Sequence, residues 1–597
     1  MSFVFYTLGP LVVLGIVLLA GIVAVAVIVG RPRGELEEGG PPGQAREALK
    51  RLYLSGAAFV SLMVAASGAT LVGRYVLDAL FGPVRLVPDE GALALGLVLG
   101  AIWTPSWLWH WGRLRALARE TPATALSLPY QLHLHLTLTV ALAFVALGVV
   151  DGLRQAFGAQ DFRSYPLAGL AVWGLLWAYH CREATAGPPA LRQGIAHGLY
   201  LHGAAAAGLA MLSVGLGTVL ALALREAYDS LFQTRTVLAG EAGLWEVVRG
   251  PLAVALGGAI LWPWHWAHSG ERQRGQPLRQ FYLYAFALLG GAAVAIAAAA
   301  TALYGTLAWA LGATAEAAGP HFRSLPGAVS ALLVGVALWA YHWLVAQREQ
   351  EEAAARRTYD YLLTAQGLGA LVAAILLLVA TLVALATEDA RGTVASRPGW
   401  WRDDLALLLT LALVGVPVWW YHWWRRQRAA ASAQERASLA RRLFLYGSLA
   451  LAVFAALGGL SHLLYLLVNT LLEADLSARV AHDGRWSLGV LAAAACWGPY
   501  HWLALLEDRR RAPEEGELPP AKLVTVLVGE DGGAFVEALE ALLGQRVRVL
   551  RRADPGVGAP SVSPEGLQSL AGLIAAASGR HVLVVADAQG VQVYSYR

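Results

Sequence analysis

The sequence predicts an all-α polytopic membrane protein with about thirteen transmembrane helices in six αα-hairpin repeats, followed by a small C-terminal cytoplasmic α+β domain. Three observations support this fold class. The chain of 597 residues is 57% hydrophobic and only 14% charged, whereas soluble proteins are about 25% charged. One aromatic motif recurs at intervals of 70 to 85 residues, which indicates an internal repeat. The composition changes abruptly after Arg511.

The repeated motif is clearest at Val416 to Arg428, which reads Val-Pro-Val-Trp-Trp-Tyr-His-Trp-Trp-Arg-Arg-Gln-Arg. Each of six copies ends a long apolar segment with aromatic residues, one histidine and then basic residues. The six histidines are His110, His180, His265, His342, His422 and His501. A tryptophan stands three residues before five of them, whereas the last copy has Gly498 there. A tryptophan or tyrosine precedes every histidine, and a tryptophan follows each one except His180.

Thirteen apolar segments are long enough to span a membrane. The first, Phe3 to Gly30, exceeds the roughly 20 residues that cross the hydrocarbon, and we interpret it as a retained helix. Two kinds of helix, A and B, then alternate six times. The A helices are predicted at about 46–81, 129–158, 194–232, 278–313, 357–387 and 437–474. The B helices are predicted at about 91–118, 166–184, 244–268, 324–349, 401–428 and 485–509.

The orientation follows from the arginines. A cluster of arginines follows every B helix, as at Arg425, Arg426 and Arg428, and all six clusters fall on one predicted side. Because basic loops stay in the cytoplasm, this side is predicted to be cytoplasmic. An odd number of spans then places the N-terminus outside and the C-terminus in the cytoplasm.

The A helices carry a signature of their own at the cytoplasmic start, made of aromatic or polar residues two apart. The pairs are Tyr53 and Ser55, His133 and His135, Tyr200 and His202, Tyr282 and Tyr284, Tyr359 and Tyr361, and Phe444 and Tyr446. The outer loops of the second and fourth hairpins share Phe-Arg-Ser-x-Pro, at Phe162 to Pro166 and Phe322 to Pro326. This match suggests that hairpins were duplicated in pairs.

The predicted domains follow this organisation. They are an N-terminal helix at 1–30, a linker at 31–45, hairpin pairs at 46–192, 193–355 and 356–511, a second linker at 512–521, and the α+β domain at 522–597. Strands in that domain are predicted at Lys522 to Gly529, Arg546 to Arg551, His581 to Ala586 and Val591 to Tyr596, with two helices between the first three.

The six repeated histidines are the candidate ligand or cofactor-binding residues, and three interpretations stay open. They belong to an interfacial belt of aromatic residues, they form structural hydrogen bonds to the neighbouring hairpin, or they bind a ligand, an ion or haem. No catalytic residue, cofactor or metal site is predicted. Cys181 and Cys496 are interpreted as packing residues, because they form no metal or disulfide pattern.

Charged residues inside apolar helices are costly to insert and therefore informative. Arg74 with Asp78, Asp151 with Arg154, and the group Arg225, Glu226 and Asp229 all lie near predicted outer ends. Each set is expected to pair within its own helix. The segments 285–300 and 368–386 contain no ionisable residue, which argues against an ion-coupled pump.

Two segments carry a resemblance to a known family. Arg279 to Tyr284 opens an A helix, and Val416 to Arg425 ends a B helix with Pro-x-Trp-x-Tyr-His-Trp. These helix ends resemble a bacterial family of multi-pass membrane domains of unknown function. The resemblance covers about residues 46 to 510, as three tandem four-helix units, and implies a location in the bacterial inner membrane. It implies no activity.

The favoured function is a non-enzymatic membrane scaffold or sensor. Its expected partners are the lipid bilayer and a cytoplasmic protein that binds residues 522–597, and nucleic acid is not expected. One alternative is a passive channel or transporter formed by the hairpins. The other is a haem-binding electron-transfer protein.

Overall fold

The structure is a computed structural model. It describes residues 43–82, 90–232, 243–268, 276–349, 353–387, 399–473, 479–511, 522–529, 532–543, 547–552, 563–577, 581–587 and 590–596. The predicted first helix and the linker at 512–521 lie outside these residues. The chain forms two compact units, one up to residue 356 and one from residue 357 to the end, with residues 310–314 counted in the second.

In the part of the chain that the structure describes, twelve long helices follow one another as six consecutive pairs, in which odd-numbered helices are the A helices and even-numbered helices the B helices. The first unit contains α1 Gly43–Phe81, α2 Glu90–Glu120, α3 Leu128–Ala156, α4 Ser164–Ala186, α5 Ile195–Phe232, α6 Leu244–His268, α7 Pro277–Ala310 and α8 Leu325–Glu349. The second unit contains α9 Ala353–Ala386, α10 Trp401–Ala429, α11 Leu439–Glu473 and α12 Arg485–Arg510.

Eleven of these helices are long and apolar enough to span a membrane, which indicates a membrane protein. The expected number was thirteen. The first predicted span is outside the described residues, and α4 falls short in hydropathy although it has 23 residues. The reason is its content of aromatic residues, such as Trp173, Trp177 and Tyr179, which are less apolar than aliphatic residues. At 1.5 Å per residue, α4 is still about 34 Å long.

The two helices of a hairpin cross at a small residue. A Cβ atom placed on Gly208 of α5 would lie 2.6 Å from the backbone nitrogen of Trp262, and one on Gly367 of α9 would lie 2.4 Å from that of Trp419. These tryptophans stand three residues before the repeated histidines. The sixth hairpin reverses the arrangement, because its B helix has Gly498 at this position and faces Ala452 of the A helix. In this hairpin the glycine at the crossing therefore belongs to the B helix, whereas in the other two it belongs to the A helix.

The fourth hairpin reaches this crossing with one extra residue. Gly208 and Gly367 stand eight residues after Tyr200 and Tyr359, whereas the corresponding Gly291 stands nine residues after Tyr282. Residues Phe281–Leu288 form a π-helical segment at the start of α7. A π-turn accommodates an inserted residue within a helix, so Gly291 still faces Trp339, at 2.8 Å from its backbone nitrogen.

The C-terminal domain has the strand and helix order that the sequence predicts. It contains β1 Leu523–Val528, α13 Gly533–Leu543, β2 Arg548–Arg551, α14 Pro564–Ala576, β3 His581–Asp587 and β4 Gly590–Tyr596. The sheet order is β2-β1-β3-β4; β1 pairs in parallel with β2 and β3, and β4 is antiparallel to β3. Both helices cover one face, where Phe535, Leu539, Leu570 and Ile574 pack on alternate residues of β1 and β3.

Candidate functional site

The six repeated histidines lie at the ends of the B helices and are largely inside the protein. His180, His342 and His501 are fully buried, and His265 is 2% exposed. His110 and His422 are partly buried. An interfacial belt alone does not account for this burial, because belt residues contact lipid headgroups.

The ring orientation of five histidines is fixed by their own helix. In each, Nδ1 lies 2.8 Å from the carbonyl oxygen of the residue four positions earlier, as in His265 with Leu261. A carbonyl can only accept, so Nδ1 carries the proton and Nε2 presents a lone pair. His422 is the exception, since its Nδ1 lies 3.0 Å from Oδ1 of the buried Asp360.

In the first and third hairpins, this lone pair accepts a hydrogen bond from a tyrosine of the A helix. The hydroxyl of Tyr53 lies 3.1 Å from Nε2 of His110, and that of Tyr200 lies 3.2 Å from Nε2 of His265. Tyr200 also accepts the indole N–H of Trp177 at 2.8 Å. These histidines therefore bond to their own hairpin, whereas the sequence led us to consider the neighbouring one.

In the second, fourth and sixth hairpins, the histidine belongs to a repeated cluster that we call the aromatic clamp. Each copy contains a tryptophan from the preceding B helix, a ring from the A helix, and a Tyr-His pair. The three copies are Trp111, His133, Tyr179 and His180; Trp266, Tyr282, Tyr341 and His342; and Trp423, Phe444, Tyr500 and His501.

The geometry of the clamp is nearly the same in the three copies. The indole N–H of the tryptophan donates to the tyrosine hydroxyl at 2.7, 3.0 and 2.7 Å. The tryptophan and A-helix ring centroids are 4.8, 5.0 and 5.3 Å apart. The tryptophan and histidine centroids are 5.8, 5.8 and 5.3 Å apart. The clamp thus joins two consecutive hairpins by packing and by one hydrogen bond.

The histidine of each clamp keeps its Nε2 without a hydrogen-bond partner among the described residues. In the first clamp, the ring centroid of His133 lies 6.0 Å from that of His180. Because His180, His342 and His501 have no exposed surface, they are poorly placed for acid–base chemistry on an external substrate, which requires hydrogen-bond reach. The geometry favours a structural role.

An arginine–carboxylate pair lies beside the second clamp and another beside the third, near the arginine-rich ends of the B helices. Arg279 pairs with Glu349 and lies over the Trp266 ring at 4.3 Å from its centroid. Arg441 binds Asp508 through two nitrogens, at 2.6 and 2.9 Å. In the first clamp Arg115 of α2 pairs with Glu183 of α4, and Tyr130 stacks on Trp111 with centroids 6.0 Å apart.

The clamps divide the six hairpins into three pairs, and a comparison with family models finds the same division. A domain of unknown function, DUF5671, matches residues 51–179, 198–321 and 357–498, which is more than half of the chain. The chain belongs to the DUF5671 family. Each match begins in the first helix of a pair. No curated protein and no solved structure matches this DUF5671 chain.

One of the repeated histidines of this DUF5671 protein, His265, lines a small cavity. A cavity of about 160 Å³ between α4, α5 and α6 is lined by His265, together with Cys181, His197, Tyr200 and His268. That volume is below the 300–1,000 Å³, roughly, of sites for small molecules. Among the described residues, no group of three or more His, Cys, Asp or Glu residues could hold a metal ion.

One functional side chain of the DUF5671 repeats was not identified from the sequence. Asp360 is 1% exposed. Its carboxylate oxygens lie 3.0 to 3.4 Å from side-chain nitrogens of His422, Arg425 and Arg426. It stands between Tyr359 and Tyr361, inside the A-helix signature. An acidic residue within this otherwise apolar and aromatic stretch was the feature of the sequence that could have identified it.

Proposed function

We propose that this DUF5671 protein is a non-enzymatic membrane scaffold or sensor whose C-terminal domain binds a cytoplasmic protein. The observation that carries the proposal is the uncovered face of the C-terminal sheet. This open face is defined by Leu523, Leu550, Leu583, Tyr594 and Tyr596. Strand register places these residues on one side, because Thr525 pairs with Leu583 and Leu583 with Tyr594.

The open face exposes several large apolar and aromatic residues, although the same register also places Thr525, Arg548, His581 and Gln592 on it. The side chains of Leu523, Leu550, Tyr594 and Tyr596 are 42 to 50% exposed. Sheets with one face in water alternate apolar and polar residues, and contiguous exposed apolar patches mark interaction sites. Tyrosine is also enriched in protein interfaces. A protein surface of matching apolar character is therefore the proposed partner.

The membrane repeats support a structural rather than an enzymatic role. Several of their buried polar groups bond to one another, as in the hydrogen bonds from Trp177 to Tyr200 and from Tyr200 to His265. The arginines at the ends of the B helices favour the cytoplasmic side for those ends. The proposal therefore places the C-terminal domain in the cytoplasm and the repeats in a bacterial inner membrane with the N-terminus outside.

The channel or transporter and the haem-bearing electron carrier remain alternatives of a different class. A channel needs a continuous polar path, and a haem protein needs an imidazole facing the iron. An optical spectrum of the purified full chain, recorded before and after reduction by dithionite, tests whether the protein binds haem. A Soret band that shifts on reduction would replace the scaffold proposal with electron transfer.

Site-specific photo-crosslinking in intact membranes tests the scaffold proposal. A photoreactive amino acid replaces Tyr594 on the open face in one variant, and Ala538 on the exposed side of α13 in a control variant. We expect a discrete crosslinked protein from position 594 that is absent from position 538 and is lost in the Leu550→Arg background. Equal crosslinking from both positions, or none from position 594, would overturn the proposal.

A further inference from the structure

A groove in the first unit has the shape and charge of a lipid site. It is a cavity of about 480 Å³ between α5, α7 and α8, within the roughly 300–1,000 Å³ range of small-molecule sites. Val214, Val294, Val334 and Leu338 form apolar walls, and Arg225 and Arg323 line one end. We propose that this groove binds one anionic phospholipid, with an acyl chain along the walls and the phosphate at the two arginines.

The charged end is built by two hairpins. Arg323 of the outer loop binds Asp229 of α5 through two nitrogens, at 3.1 and 3.3 Å. Nε of Arg225 lies 3.8 Å from the same carboxylate. Glu226 lies beside Arg225, but the cavity is lined by the two arginines. Asp229 thus holds two cations at the rim, and their side chains stay 51% and 39% exposed toward a ligand.

The length of the groove matches one leaflet of a bilayer. Its lining on α8 extends from Pro326, beside the arginines, to Leu338. At 1.5 Å per residue these twelve steps cover about 18 Å, and half of the hydrocarbon core is about 15 Å thick. A lipid whose phosphate lies at Arg323 would therefore extend its acyl chain to the level of Leu338.

The two pairs of hairpins in the first unit differ in sequence beside this groove. In the first pair, Trp173 of α4 is 1% exposed and stacks on Phe144 of α3, with centroids 4.5 Å apart. Counted back from the histidine that ends each helix, Trp173 corresponds to Gly335 of α8, seven residues before His342. Gly335 lines the groove. A Cβ on Gly335 would lie 2.7 Å from the backbone nitrogen of Ala295 on α7, so this glycine lets α7 and α8 approach closely beside the groove.

The preference for an anionic lipid follows from the rim. Phosphate oxygens accept charge-assisted hydrogen bonds from arginine, which are shorter and stronger than neutral ones. A zwitterionic headgroup adds a cation near Arg225 and Arg323, and this lowers its electrostatic attraction. Free inorganic phosphate lacks the acyl chain and gains nothing from the apolar walls.

Native mass spectrometry of the detergent-purified full chain tests the proposal, with phosphatidylglycerol and phosphatidylcholine as probes. We expect one tightly held phosphatidylglycerol and weaker binding of phosphatidylcholine. The double variant Arg225→Gln and Arg323→Gln should weaken phosphatidylglycerol binding by about tenfold or more, since each lost charged hydrogen bond is substantial. The control Arg154→Gln removes an arginine of equal exposure, 39%, that also pairs with an aspartate, and should leave binding unchanged.

A second pair of variants tests the acyl half of the site. A Cβ on Gly217 meets only Val334 and Ser330, at 3.8 and 4.0 Å, so Gly217→Leu should fold and fill the groove. Gly203→Leu, on the same helix, meets nothing within 4 Å and is the control. The proposal is overturned if the two lipids bind wild-type protein equally, if inorganic phosphate displaces the lipid, or if Gly217→Leu and Gly203→Leu bind alike.

Discussion

The indole N–H of Trp111 donates to the hydroxyl of Tyr179 at 2.7 Å, from helix α2 to helix α4 across 68 residues of sequence. The same bond joins Trp266 to Tyr341 and Trp423 to Tyr500. It occurs once in each pair of hairpins. The structural period of the chain is therefore two hairpins, or about one DUF5671 match, whereas the motif recurs with every hairpin.

We expect the clamp bond to couple its two residues energetically. Trp266→Phe and Tyr341→Phe each keep an aromatic ring and remove one partner, so each should lower the free energy of unfolding by about 0.5 to 1.5 kcal/mol. The double variant should cost little more than one single variant, because the bond is already lost. Denaturation of the detergent-solubilised protein measures all three. The control is Trp264→Phe, whose ring is 54% exposed.

The outcome that contradicts this prediction is simple additivity. If the two single effects sum in the double variant, the indole and the hydroxyl contribute independently through packing. The hydrogen bond would then be incidental to the contact between the hairpins.

The two kinds of histidine predict different responses to the same substitution. His265→Phe removes the acceptor of the Tyr200 hydroxyl, which is buried, and should destabilise the protein by about 1 to 3 kcal/mol. His342→Phe removes a ring nitrogen that has no partner among the described residues, so its cost should be clearly smaller. Thermal denaturation of both variants under identical conditions compares them. Equal destabilisation would mean that Nε2 of His342 has a bonded partner, such as a buried water.

The helical hairpins were predictable because hydropathy and motif position mark helix ends directly. The fifth B helix, for example, was expected at about 401–428 and spans Trp401–Ala429. The C-terminal strands were predictable because short apolar runs, such as the one from Lys522 to Gly529, are typical of buried strands.

The clamps were not predictable, because the partners are about 70 residues apart. Trp264 and Tyr341 each stand directly before a repeated histidine, and the sequence offers the same interpretations for both, an interfacial belt among them. In the structure Trp264 is 54% exposed, as a belt residue would be, whereas Tyr341 accepts the bond from Trp266. Only the position of the next hairpin distinguishes the two roles.

A buried ion pair in the sixth hairpin gives a third prediction. Arg441 is 1% exposed and binds Asp508, while its Nη1 donates to the Tyr361 hydroxyl and its Nη2 also donates to Gln427. Asp508→Asn leaves a buried cation without its counter-charge and should cost about 3 to 5 kcal/mol. The neighbouring Glu507→Gln breaks only an exposed pair with Arg511 and should cost less than about 1 kcal/mol. Similar unfolding midpoints for the two variants would show that Arg441 is already neutralised by its other partners.

The close crossing of α9 and α10 allows a test with two glycines in one helix. A methyl group on Gly367 would lie 2.4 Å from the backbone nitrogen of Trp419, whereas one on Gly369 meets nothing within 4 Å. Alanine favours helix formation over glycine by about 1 kcal/mol, so Gly369→Ala should stabilise the protein slightly. Gly367→Ala must move α10 away from α9 and should cost about 1 to 3 kcal/mol in overpacking strain.

The sign of the difference is the decisive measurement. Both substitutions add the same methyl group to the same helix, so helix propensity and expression effects cancel between them. A lower unfolding midpoint for Gly367→Ala than for Gly369→Ala supports the glycine-mediated crossing. If Gly367→Ala is as stable as Gly369→Ala, the two helices are not in backbone contact at Trp419, and the same would follow for the equivalent crossing of Gly208 with Trp262.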